Sequence, residues 1–119
     1  MRGGRSRVAS VSAGLAVRPG AGGTPTELAR LVLDAVDRIP AGRVLTYGDV
    51  AEMVGRGGPR GVGSVLASWG REVPWWRVVL ASGHPAPSDP AGALAQLRAE
   101  GCPTRGERVD LDRARWDGR

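Results

Sequence analysis

Lysine, asparagine and phenylalanine are missing from this chain of 119 residues, which holds one Cys, one His and one Tyr. A single Cys excludes an internal disulfide framework and a Cys-cluster zinc site, and a single His excludes any site built on two imidazoles. No metal or cofactor is therefore expected. No apolar run approaches the about 18 residues that would span a bilayer, and the first residues lack the apolar core of a secretory signal. These absences point to a cytoplasmic protein of one small domain, a monomer with no membrane partner.

Arginine supplies all 17 basic residues, against 12 acids, for a net charge of +5. Residues 1–23 hold Arg2, Arg5, Arg7 and Arg18 and no acid, so residues 24–119 carry 13 Arg against 12 acids, a net +1. The excess sits on a tail. The wealth of Arg, Gly, Ala and Pro fits a coding bias as well as it fits a nucleic-acid partner, so bulk basicity assigns nothing by itself. Rich in Gly, Ser and Arg and closing on Pro-Gly and Gly-Gly, residues 1–23 are expected to form a disordered basic tail. The same composition fits an arm that touches phosphates, an organelle transit peptide or a misassigned start.

Order is expected from Thr24, where Thr24-Pro25-Thr26-Glu27 offers a cap hydroxyl, Pro at the first helical position and Glu three residues after the cap. Leu28, Leu31, Val32, Ala35, Val36 and Ile39 follow at the spacing of a packed helical stripe, and Pro40 ends it. After an extended Arg43-Val44-Leu45, a capping box at Thr46 to Asp49 opens a second helix through Val50, Ala51, Met53 and Val54 to Gly55. A third helix is predicted from Pro59 to about Trp69, with Val62, Val65, Leu66 and Trp69 inward and Arg60, Gly61, Ser64, Ala67 and Ser68 outward. Gly61 and Gly63 within it cost about 1 kcal/mol each relative to Ala. That cost implies a close approach of the backbone to another surface, either a neighbouring helix or the wall of a nucleic-acid groove. Short helix, Gly-containing turn, second helix is the shape of a helix-turn-helix. Arg77 to Leu80, closed by Ala81-Ser82-Gly83, suits a short strand or wing, and Asp89-Pro90 caps a last helix through Leu94 and Leu97 to Gly101. Arg108 to Leu111 is expected as a short strand and Trp116 as an aromatic plug. The fold expected over residues 24–119 is mainly α with a small β wing, a winged-helix domain.

Two segments carry a family likeness. Ile39-Pro40-Ala41-Gly42-Arg43-Val44-Leu45-Thr46-Tyr47-Gly48-Asp49-Val50-Ala51, with Pro59-Arg60-Gly61-Val62-Gly63, resembles the DNA-binding domain of the O⁶-alkylguanine-DNA alkyltransferases. Val73-Pro74-Trp75-Trp76-Arg77-Val78-Val79 is similar to that family's Pro-Cys-His-Arg-Val signature. With Ser82-Gly83 and Glu100-Gly101, the likeness spans residues 26–101. Where the family has its alkyl-accepting Cys and activating His, this chain has Trp75 and Trp76, and an indole has no lone pair basic enough to attack an alkyl carbon. The only thiol, Cys102, lies between Gly101 and Pro103 with no histidine nearby in sequence. The chain thus resembles the alkyltransferase-like proteins, in which Trp commonly stands at the Cys position.

The resemblance implies a protein that is not an enzyme. It would bind O⁶-alkylguanine in double-stranded DNA through the minor groove, flip the nucleotide out, and flag the lesion for nucleotide excision repair proteins. It implies that Arg60 fills the hole left in the stack and that Thr46 and Tyr47 act at the base of the flipped nucleotide. Gly61, Gly63 and Ser64 form the small-residue face that enters the groove. The lesion pocket falls to Tyr47, Trp75, Trp76, Arg77 and Val78, with either Trp of the adjacent pair facing it. One buried cluster of Trp69, Trp75 and Trp76 is the competing arrangement. The lid segment His84 to Asp89 lacks the family's aromatic, which implies a more open pocket, and Glu100 has no His to orient, leaving it to bond the Trp76 N–H or face solvent. Three readings compete. A sequence-specific winged-helix regulator would put long base-reading side chains where the third helix has Gly, Ser and Ala. An active alkyltransferase would use Cys102, and a DNA-mimic or protein-binding scaffold would show no salt-dependent duplex binding.

Overall fold

The computed structural model describes residues 25–119; the basic tail at 1–23 and the Thr24 cap lie outside the described residues. Helix α1 spans Glu27–Asp37 and is capped by Thr26, whose hydroxyl accepts from the Ala29 N–H, 3.1 Å away. The cap is therefore Thr26, two residues later than expected. Pro25 precedes it and Glu27 takes the first helical position, where its charge suits the helix dipole. Ala29, Val32, Ala35 and Val36 are buried while Leu31 is 40% exposed. Leu31 sits one residue, about 100°, off the Val32 axis of the stripe and falls outside it.

Strand β1 is Leu45–Thr46, and α2 follows at once over Tyr47–Val54. Both halves of its capping box are made: Asp49 N–H donates to Thr46 Oγ1 and Thr46 N–H to Asp49 Oδ2, each at 3.0 Å. Gly55 closes α2 in the left-handed conformation at φ 90°, which a Cβ would strain. Helix α3 runs Gly58–Trp69 with Pro59 in its first turn. It packs on α1 and α2, and Val62 and Val65 join the Val32, Val36, Ile39 and Val50 core.

Two single turns of 3₁₀ helix, Gly70–Glu72 and Trp75–Arg77, lead into strand β2, Val78–Val79. β2 is not a free wing: it pairs in parallel with β1, Leu45 opposite Val78 and Thr46 opposite Val79. Both valines are fully buried, because the pair is covered on both faces. Helix α4, Pro90–Ala99, is capped by Asp89 as expected. An antiparallel hairpin of β3 (Thr104–Arg105) and β4 (Arg108–Val109) follows, and then the four-residue helix α5, Leu111–Ala114, which periodicity does not announce. The chain after α5 straps back across α2. Trp116 N–H donates to Val44 O, Arg115 clasps both Asp49 oxygens at 2.9 and 3.0 Å, and Trp116 packs on the first core cluster.

Candidate functional site

A cleft of about 440 Å³ opens where the start of α2, the outer face of α3 and the loop after β2 meet. That volume lies within the range of about 300–1,000 Å³ common to small-molecule sites. Tyr47, at the first position of α2, forms one end of it, placed there by the Thr46 cap. Thr46 itself is 4% exposed with its hydroxyl spent on the cap, so its contribution is to place Tyr47. Burial pushes the Tyr47 phenol above its usual pKa. The group is neutral at physiological pH.

Arg60 projects from the first turn of α3 into the same cleft, with no hydrogen bond or ion pair among the described residues. Gly63 lies one turn on. A Cβ at Gly63 would meet nothing within 4 Å, and one at Gly61 only Leu28 at an ordinary 3.8 Å. Neither glycine is required by packing against a neighbouring helix; the face they leave, with exposed Ser64, is bare and open to the outside.

Trp75 lines the cleft and Trp76 does not. Their rings meet edge to face, 5.8 Å apart at 84°. Nor do the tryptophans form one cluster. Trp69 packs on the first core cluster, Trp76 on a second made of Val44, Val79, Leu97, Cys102, Val109 and Ala114, and Trp75 lines the cleft. Of the five residues grouped round a pocket from sequence, Tyr47 and Trp75 therefore line it. Val78 is fully buried in β2, paired beside Leu45 of β1, and Trp76 and Arg77 turn to Glu100.

Glu100 does not face solvent. Oε2 accepts from Trp76 Nε1 at 2.9 Å and from Arg77 Nη2 at 2.6 Å, and Oε1 accepts from the Gly42 N–H at 3.0 Å. Arg77 Nη1 in turn donates to Ile39 O at 2.7 Å. Burial pulls the Glu100 carboxyl upward, but the bonds from Arg77, Gly42 and Trp76 outweigh it and hold the group below the usual carboxylate range. Pro59, Leu66, Ala67, Leu80, Ala86, Pro87 and Ser88 complete the cleft wall; of these, sequence reasoning ties only Ala86, Pro87 and Ser88, in the lid segment, to the pocket. Leu66 looked like core by its spacing. The Pro-rich lid carried a signal only through the family likeness, since Pro85 to Ser88 has no period.

Cys102 is 6% exposed within the second core cluster and does not line the cleft. Burial, with the nearby Glu100 charge, pushes its thiol up to about 11. At pH 7 roughly one molecule in ten thousand would carry the thiolate. Cys102 should therefore react with a chromogenic disulfide reagent at pH 7.5 only after denaturation, which a thiol titration with and without guanidinium checks.

Residues 27–102, which carry the whole cleft, match the family model of the 6-O-methylguanine DNA methyltransferase DNA-binding domain. The chain is 39% identical over 92 residues to the DNA base-flipping protein of Escherichia coli (strain K12), covering 72% of this chain and 71% of that protein. The DNA base-flipping protein of Shigella flexneri matches to the same extent. Among solved structures it is similar to S. pombe Atl1 in complex with damaged DNA containing O6-carboxymethylguanine. The TM-score there is 0.65 at 29% identity, over 76% of this chain and 95% of that one. S. pombe ATL in complex with DNA gives a TM-score of 0.66 at 30% identity over the same shares. With the family model covering well over half of it, the chain belongs to the O⁶-alkylguanine-DNA alkyltransferase family, as an alkyltransferase-like protein.

Proposed function

We propose that this protein binds O⁶-alkylguanine in duplex DNA from the minor groove, holds the nucleotide outside the helix, leaves the alkyl group in place and so marks the lesion for nucleotide excision repair. One observation carries the reading: Tyr47, Arg60 and Trp75 converge on a single cleft that contains no thiol, the only Cys being buried elsewhere. Flipping a base costs a few kcal/mol, less when the lesion has weakened pairing. Stacking the purine on Trp75 returns about 1 to 3 kcal/mol. The Arg60 guanidinium, planar and with no hydrogen bond or ion pair among the described residues, suits the gap left in the stack. The bare Gly61, Gly63 and Ser64 face lets α3 enter a groove only about 6 Å wide. Base-edge readout is sparse there, so the protein follows lesions and not sequence. Kinship with a base-flipping protein and with proteins solved on DNA supports the same reading.

The test is a mobility shift with two matched duplexes, one carrying tritiated O⁶-methylguanine. Tighter binding of the methylated duplex, with the label staying on DNA, is expected. Label on protein, or equal affinity, defeats the proposal. The Gly63 position offers a second check. Gly63→Ala should raise thermal stability, by up to about 1 kcal/mol from helix propensity, while weakening binding to both duplexes in the same shift assay.

A further inference from the structure

Trp76 lies outside the cleft, yet it is more firmly held than the Trp75 that lines it. We propose that Trp76 is a positioning residue: anchored by its indole N–H, it fixes the orientation of Trp75 and thereby sets how strongly the cleft discriminates an extrahelical purine. The second half rests on the lesion-binding reading above.

The two residues share one 3₁₀ turn, closed by Arg77 N–H donating to Pro74 O at 3.0 Å. The turn fixes their backbones and leaves the ring torsions to be set by contact. For Trp76 the contact is directional, Nε1 to Glu100 Oε2 at 2.9 Å. Glu100 cannot follow a drifting indole, because Arg77 and the Gly42 N–H hold both its oxygens. The Arg77 guanidinium also sits 5.6 Å from the centre of the Trp76 ring, and the Glu100 and Arg77 side chains are 14% and 16% exposed. Trp75 has no such anchor among the described residues. It meets the Trp76 ring edge to face at 5.8 Å, and its Cβ lies close over Gly70, where an added Cβ would come within 3.6 Å. Its ring is oriented by a neighbour that is itself held by a part-buried ion pair. Phe at position 76 would keep a ring and lose the donor, whereas His would keep an N–H for Glu100.

The experiment compares the parent, Trp76→Phe and Trp76→His. Affinities for O⁶-methylguanine and unmodified duplexes are measured by anisotropy, and the indole N–H resonances of the free proteins are recorded in ¹⁵N spectra. The Trp69 and Trp116 resonances report an intact fold. In Trp76→Phe the Trp75 resonance should move and the ratio of lesion to plain affinity should fall about tenfold, the equivalent of one bond to a charged group. Trp76→His should restore both. A parental ratio in Trp76→Phe overturns the proposal. If the parent does not discriminate at all, the lesion-binding reading fails instead, and positioning is then decided by the spectrum: an unmoved Trp75 resonance in Trp76→Phe refutes it, and a shift reversed by Trp76→His upholds it.

Discussion

Replacing Trp75 by alanine should lower affinity for an O⁶-methylguanine duplex roughly thirtyfold, about 2 kcal/mol, while leaving binding to undamaged duplex within about twofold. The asymmetry follows from where the ring sits. Trp75 lines the cleft, so it contributes when a base occupies the cleft. Affinity for plain duplex rests on phosphate contacts that the substitution leaves alone. Arg60→Ala should reduce lesion preference by about tenfold for the complementary reason, the loss of the group that fills the stack. Arg60→Lys should fail to rescue it, because an ammonium carries the charge without the plane. Parallel isotherms on both duplexes separate these outcomes. Equal losses on the two would mean that the residues serve general DNA affinity alone.

Arg77→Met should be the most damaging substitution for stability, at about 3 kcal/mol, because it leaves the Glu100 carboxylate charged and nearly buried with its principal donor gone. For a domain of this size that is a fall of roughly 15 °C in Tm. The pH dependence has a definite sign. The Glu100 pKa is depressed in the folded protein, so its ion pair stabilises fully above the ordinary carboxylate range and the contribution is lost as pH falls through the folded value. The gap between parent and variant should be widest at neutral pH and should narrow below about pH 4. The Asp49 clasp by Arg115 lowers that carboxyl too, against the pull of burial, and so adds acid sensitivity of the same sign in both proteins. Calorimetry of the two proteins across this range checks the claim. A gap that does not change with pH would assign the loss to packing of the aliphatic stem.

Where local chemistry decides an element, the sequence suffices. Thr46 to Asp49 forms both halves of its capping box, Gly55 ends α2, and Asp89 starts α4. Long-range pairing left no such mark. Val78 and Val79 are apolar on both faces and therefore predict a strand but not its partner, which proves to be the parallel β1. The strap from Leu111 to Trp116 has no helical period, and its anchors at Val44 and Asp49 lie more than 60 residues back in the chain. At the site, Tyr47, Arg60, Gly63 and Trp75 carry the family likeness and converge on one cleft. The sequence cannot distinguish the two adjacent indoles, since residue type and spacing are the same for both. What separates them is the Glu100 carboxylate 24 residues on, reached only when α4 folds back beside the 3₁₀ turn.

A duplex with 2-aminopurine beside O⁶-methylguanine tests most directly whether the cleft takes a base out of the stack. Saturating protein should raise the probe's emission as its neighbour departs, and Trp75→Ala should need more protein to reach the same level. Emission that stays at the level of free duplex, with binding demonstrably complete, would mean that the damaged base never leaves the helix.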